Sequence, residues 1–168
     1  MNNEMILTED NVIQALIERA FEEDMGSGDV TTNAILDIGQ KARVIWVAKE
    51  KGVVAGLDTA QNIFQKLDPE INWQTHVGDG EEVESGSKIV KIEGSGRAIL
   101  TAERIALNIA QRMSGIATMT QQFVAQIADL DTKILDTRKT VPGLRLLDKK
   151  QWRLEEVQII VWDYLIWR

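Results

Sequence analysis

The stretch Ile134–Lys149 reads I-L-D-T-R-K-T-V-P-G-L-R-L-L-D-K. Two apolar residues lead into Asp136-Thr137-Arg138-Lys139-Thr140, and Pro142-Gly143 then turns the backbone. A short apolar run ending in hydroxyl and cationic side chains is how a buried strand delivers anion-binding groups to the mouth of an α/β barrel. The pattern predicts a strand over Lys133–Thr140 that opens such a layer. Read alone, the Arg138-Lys139 pair is better explained as a solvated strand end.

Outward from this stretch, the bulk properties narrow the field. The chain has 168 residues, 44% of them apolar and 27% charged, as in a soluble globular protein. Its formal charge of −7 argues against nucleic acid or an anionic membrane as partner. An anionic ligand would therefore have to be caught by a local group of cations. No cysteine is present, which excludes disulfides and thiolate metal sites. No run approaches the roughly 20 apolar residues of a spanning helix, and Met1–Glu9 does not read as a secretory leader. A cytoplasmic protein is the expectation.

Toward the N-terminus, Thr8–Met25 is predicted to be a helix capped by Thr8, with Val12, Leu16, Ile17, Ala20 and Phe21 on one face. Gly26-Ser27-Gly28 follows in a loop; without a preceding strand or a lysine it does not read as a phosphate cradle. Lys41–Leu57 alternates as a strand does, with Ala42, Val44, Trp46 and Ala48 on one side. Asp58–Leu67 is a predicted helix. From Trp73 to Ile92, short alternating runs broken by Gly78-Asp79-Gly80 and Ser85-Gly86 predict a β-hairpin layer. These turns are similar to those of biotinyl and lipoyl carriers, but no lysine sits in a tight hairpin, so a swinging arm is not expected. The lone His76 reads as a structural or surface residue rather than a ligand.

Ser95–Asp129 is predicted helical, capped by Thr101 and interrupted at Ser114-Gly115. That cap would place Glu103 and Arg104 in the first turn, where an arginine opposes the helix dipole. Spacing leaves open whether Arg104 is merely exposed or reaches an anion drawn to the same helix end.

Three strings then converge: E-E-D-M-G-S-G-D-V-T-T, L-T-A-E-R-I-A-L-N followed by R-M-S-G-I-A-T, and I-L-D-T-R-K-T-V-P-G-L-R. Together, from about Glu9 to Lys150, they resemble the quinolinate phosphoribosyltransferase family, the carboxylating nicotinate-nucleotide pyrophosphorylases of NAD biosynthesis. A relative found with molybdate transport genes shares the fold. The resemblance implies an α+β fold: an N-terminal helix-and-sheet domain over 1–100, then connecting helices and the first barrel strand over 101–150. The α/β barrel is thus only begun in this chain. It further implies a homodimer whose N-terminal domain helps close the partner's barrel. The implied reaction joins quinolinate to phosphoribosyl pyrophosphate, with Mg²⁺ accompanying the pyrophosphate and no protein ligand for it assigned. Arg104, Thr137, Arg138 and Lys139 match substrate-contacting positions, Lys139 also a catalytic one, with Arg104 reaching across the dimer. A dicarboxylate and a polyphosphate in one pocket need converging cations. Arginine grips a carboxylate with two donors and lysine acts as a mobile point charge.

After Lys150 the resemblance stops. Gln151–Arg168 holds three of the five tryptophans and the only tyrosine. The family carries a glycine-rich turn and Asn-His-Arg here. Pairing the third base of each codon with the first two of the next can spell A-V-A-I-G-G-G-A-N-H-R-V-G-L-F-D-M-A, so we read 151–168 as an out-of-frame tail. Such a product is expected to be inactive or nearly so and prone to aggregate; an N-terminal dimerisation or binding module is the alternative. The DNA from the Lys149 codon onward checks this: codons incompatible with the shifted string dismiss it.

Overall fold

A computed structural model describes residues 9–26, 32, 35–135 and 137–150. The Thr8 cap, the Gly-Ser-Gly loop beyond Gly26 and the tail from Gln151 lie outside the described residues. Helix α1 spans Glu9–Met25, and Ile13, Ile17 and Phe21 are its buried stripe, as the i, i+4 spacing dictates. Strand β1 (Lys41–Val47) buries alternate residues, so the side carrying Ala42, Val44 and Trp46 faces the core as predicted. It ends before a loop and a two-residue strand β2 (Gly52–Val53), so the 41–57 segment is two strands. Helix α2 (Leu57–Leu67) follows, then β3 (Asn72–Thr75), β4 (Glu82–Val83) and β5 (Lys88–Ser95).

The two sheets are antiparallel. In one, β5 lies between β1 and β3, with Trp46 opposite Val90 and Trp73 opposite Ile92. In the other, β2 pairs with β4. The predicted layer of short strands is present but not as hairpins, because no two consecutive strands pair: β4 joins β2, and β5 joins β1 and β3. Its turns are where the glycines placed them, with Gly80 and Gly86 at φ near +90°. Trp46, Phe64 and Trp73 form an aromatic triangle with centroids 5.6 to 6.0 Å apart. These rings sit in a core shared by α1, α2, β1, β5 and the next helix. The Trp46 indole N–H is buried there without an acceptor.

That next helix, α3, runs from Gly96 to Gln126 without interruption, 31 residues. Two expectations are corrected here. The cap is Ser95, whose hydroxyl accepts from the Ala98 amide at 3.4 Å, so Thr101 lies inside the helix and Arg104 is well past the first turn. Nor does Ser114-Gly115 break it. The Ser114 hydroxyl bonds outward, accepting from the Ala55 N–H at 3.0 Å and donating to the Ala55 carbonyl at 3.2 Å. One turn on, Thr118 Oγ1 accepts from the Val53 N–H at 2.8 Å. The helix hydroxyls thus supply partners to the edge of β2 that β4 leaves open, and an edge amide buried without one would cost about 1–3 kcal/mol.

Helix α2 starts under a similar constraint. Gly56 has φ +90°, and a Cβ there would come 2.6 Å from Met113 Sδ. The Asp79 carboxylate accepts from the Gly56 and Leu57 amides, both at 2.9 Å, and so caps the helix from the Gly78–Gly80 turn. Burial is the larger influence on this carboxyl and raises its pKa above the ordinary 3.8, against the two amide bonds. A raised native pKa adds stability that is full below the unfolded value and is lost as pH climbs through the native one. Asp79→Ala should cost about 1–2 kcal/mol in denaturant unfolding at neutral pH. Asp79→Asn should flatten the decline in stability from about pH 4 upward relative to wild type. Unfolding profiles that stay parallel between pH 3 and 7 would contradict that reading.

Candidate functional site

The Lys133–Thr140 segment is not a strand among its described residues; only Leu135 makes an isolated β-bridge. A parallel barrel strand is held by neighbours on both edges, and the described chain places none there. What the segment forms instead is a series of local turns. The Thr137 hydroxyl accepts from the Lys139 N–H at 3.2 Å, and the Thr140 N–H donates to the Arg138 carbonyl at 3.0 Å. Val141-Pro142-Gly143-Leu144 then closes with the Leu144 N–H on the Val141 carbonyl at 3.0 Å, with Gly143 at φ +84°. Proline second and glycine third is the arrangement a type II turn requires.

The turn leads into helix α4 (Arg145–Lys150), which is anchored firmly. Leu147 is 1% exposed and belongs to the main core, with Leu144 and Leu146 packed against it. Beside it, the 4%-exposed Asp148 is gripped by Arg112 of α3 through two parallel bonds, Nε to Oδ1 and Nη2 to Oδ2, each 2.8 Å. The same carboxylate accepts from the Val141 N–H at 3.4 Å. Asp148 in turn holds the Arg112 guanidinium above its ordinary pKa. A nearly buried carboxylate is tolerated only when its acceptor sites are filled, and here a bidentate arginine and an amide fill them. Arg112 therefore fixes the downstream side of the Thr137–Lys139 loop.

Thr137, Arg138 and Lys139 are all exposed, side by side on this anchored loop. Thr137 lines a cleft of about 650 Å³ together with Arg112, Ile116, Met119, Phe123 and Leu135. Arg104 is elsewhere. It lies eight residues before Arg112 on α3, about 12 Å along the axis. Its exposed guanidinium meets Asp24, at the end of α1, at 3.1 Å. That cleft does not take in Arg104. The single chain thus brings Thr137, Arg138 and Lys139 together and leaves Arg104 apart. His76 is exposed, as expected. Arg112 was not singled out from the sequence, because its partner lies 36 residues away and neither residue type marks the pairing.

Comparison with known proteins divides the chain near Gly115. The quinolinate phosphoribosyl transferase N-terminal domain matches residues 29–114, and the C-terminal domain of the same family matches residues 116–155. The chain belongs to the quinolinate phosphoribosyltransferase family. The two matches abut at Gly115, in the middle of α3, and the second ends just inside the 151–168 segment. A probable nicotinate-nucleotide pyrophosphorylase [carboxylating] of Synechocystis is 44% identical over 143 residues, 85% of this chain and 48% of that protein. Quinolinate phosphoribosyltransferase [decarboxylating] 1b of Nicotiana tabacum is 44% identical over 82% of this chain and 39% of its own length. Among solved structures, NadC of Streptococcus pyogenes superposes with a TM-score of 0.86 at 40% identity, covering 94% of this chain and 55% of that one. The nicotinate-nucleotide pyrophosphorylase of Francisella tularensis gives 0.84 at 33% identity, covering 92% and 55%. The chain therefore spans about half the length of the relatives it matches, and the barrel is incomplete in it. No described helix is long and apolar enough to cross a membrane.

The clamp between Arg112 and Asp148 can be tested directly. Arg112→Ala strands a buried carboxylate, which should cost about 3 kcal/mol locally. Hydrogen exchange should show amide protection lost across Val141–Lys150 and retained in β5; unchanged protection in α4 would contradict the assigned role.

Proposed function

We propose that this chain supplies the N-terminal domain and the first part of the barrel domain of a phosphoribosyl transferase acting on quinolinate. The reading is carried by one observation: a family match that runs through the anchored turn presenting Thr137, Arg138 and Lys139 on adjacent residues. Arg138 would hold a quinolinate carboxylate with paired donors, and the Thr137 hydroxyl would donate to a carboxylate oxygen. Lys139 would place a point charge against the phosphoribosyl group and serve as the catalytic cation. In the reaction, the bond from the ribose carbon to pyrophosphate breaks and the leaving group takes its electron pair. The pyridine nitrogen forms the new bond to that carbon. The ring cation so created accepts the electrons released when the adjacent carboxylate leaves as carbon dioxide, and a proton replaces it, giving nicotinate mononucleotide. Preorganised cations stabilise the separated charges without reorganising at the moment of reaction.

Mg²⁺ enters this scheme with the pyrophosphate, as part of the substrate; among the described residues no group of three or more His, Asp or Glu side chains is arranged to hold a metal. Arg104 would reach the substrate of a partner copy in a homodimer, which accords with its absence from the cleft that Thr137 lines. A cytoplasmic location belongs to the same reading, although tobacco and rice relatives bear mitochondrial and chloroplastic in their names.

Because much of the barrel of the relatives has no counterpart here, binding and turnover separate as readouts. Titration calorimetry with quinolinate should detect weak binding that Arg138→Ala reduces at least tenfold, about 1.4 kcal/mol. Conversion of quinolinate and phosphoribosyl pyrophosphate by the chain alone should be negligible. Binding indifferent to Arg138→Ala and Lys139→Ala would remove the substrate assignment, and brisk turnover would remove the inactivity. A second reading, a non-catalytic binding or dimerisation module, draws on the core that α1, α2, β1, β5 and α3 share, into which Leu147 of α4 also packs. Limited proteolysis leaving the N-terminal half, about residues 1–100, intact and the remainder cleaved would support the module.

A further inference from the structure

Helix α1 closes on Glu22, Glu23 and Asp24, and its last turn holds no basic residue. Carboxylates there face the negative end of the helix dipole, which favours cations instead. Glu22 and Glu23 are simply exposed. Asp24 differs, because its Oδ1 accepts from Nη1 of Arg104 on α3 at 3.1 Å. Stability does not account for this pair. The Arg104 side chain is 74% exposed, and ion pairs so open to water contribute little. A residue that works against its own helix for a weak bond is better explained by what it does to its partner.

The base on which Asp24 stands is rigid. Phe21, one turn earlier on α1, and Ile105, next to Arg104 on α3, are both buried in the main core. The Asp24 side chain is itself only 27% exposed. Arg104, by contrast, is held at one corner. Its Nη1 meets Asp24, and its Nε and Nη2 bond nothing among the described residues. Those two nitrogens form the edge through which a guanidinium grips an oxyanion with paired N–H donors. A long side chain loses rotamer freedom when it binds, and a tether removes part of that loss before a ligand arrives. The negative charge of Asp24 is a weaker influence, since water around so exposed a guanidinium screens it from an incoming anion.

We propose that Asp24 is a positioning residue for Arg104, holding the guanidinium by Nη1 so that its Nε–Nη2 edge is presented to a carboxylate or phosphate of the substrate. The inference rests on the reading that gives Arg104 the substrate of a partner copy. It assigns Asp24 no contact with substrate.

The test follows the Arg104 Nε–H resonance of the isotopically labelled 168-residue chain by nuclear magnetic resonance during a titration with quinolinate. Arg104→Lys identifies the signal. In wild type it should shift as ligand is added. Asp24→Asn should weaken the apparent affinity read at that signal by about threefold or more, and Asp24→Glu, which keeps the carboxylate, should stay within about twofold of wild type. Asn removes a charge that the dipole disfavours, so the thermal midpoint of Asp24→Asn should equal or exceed that of wild type. The proposal is overturned if Asp24→Asn responds like wild type, or if Asp24→Glu loses as much as Asp24→Asn. A tighter response in Asp24→Asn also overturns it, since the carboxylate would then be competing with the anion. So does a response that falls together with the thermal midpoint, which would make Asp24 structural. A wild-type signal indifferent to quinolinate overturns the positioning and the cross-dimer role of Arg104 together. Binding that Arg138→Ala reduces remains the separate measure of the proposed reaction.

Discussion

Everything described here is strung on α3, and α3 is held in register by two hydroxyls. Ser114 and Thr118 sit one turn apart and bond the backbone of Ala55 and Val53, so the helix replaces a missing strand at the edge of β2. A helix of 31 residues spans about 46 Å, longer than one small core can cover. Its first two-thirds close the N-terminal domain, and its last third carries the opening of the second. With β2 fixed to α3, the reversal at Gly56, the cap at Asp79 and the start of α2 all follow as consequences of one alignment.

The same pair explains where the sequence was readable and where it was not. Alternation at Ala42, Val44 and Trp46 revealed β1, and the Gly-Asp-Gly and Ser-Gly strings revealed turns, because in each case the deciding contacts are local. The pairing of the strands was not legible as hairpins, since β4 joins β2 and β5 joins β1 and β3 across the sequence. Ser114-Gly115 misled for a physical reason. Serine and glycine are poor helix residues in isolation, and nothing within a few positions shows that the serine hydroxyl is engaged by Ala55, 59 residues away. Tertiary bonding outweighed propensity. The cap was displaced to Ser95 for a related reason: Thr101 offered the right side chain, but the strand ended earlier and the first available hydroxyl took the role.

For the candidate site the division is similar. Adjacent hydroxyl and cationic residues before Pro-Gly were conspicuous at Thr137, Arg138 and Lys139, and the structure sets them on one anchored loop. The strand expected to carry them is not formed over the described part of 133–140, since a parallel strand is a property of its neighbours. Arg112 and Asp148, which hold that loop down, are an unremarkable arginine and aspartate until folding brings them to 2.8 Å. Arg104 does not line the cleft that Thr137 lines, and its guanidinium meets Asp24 instead.

The burial of Leu147 has one more implication, for synthesis. Once Lys150 has left the ribosome, Leu147 can enter the core and Asp148 can find Arg112, since the partners of both contacts precede it among the described residues. Domains emerging from the N-terminal end tend to fold as units during translation. The Pro142-Gly143 reversal would then act as a latch, closing the first unit before the rest of a barrel exists, so later strands add to a surface already set rather than compete with it.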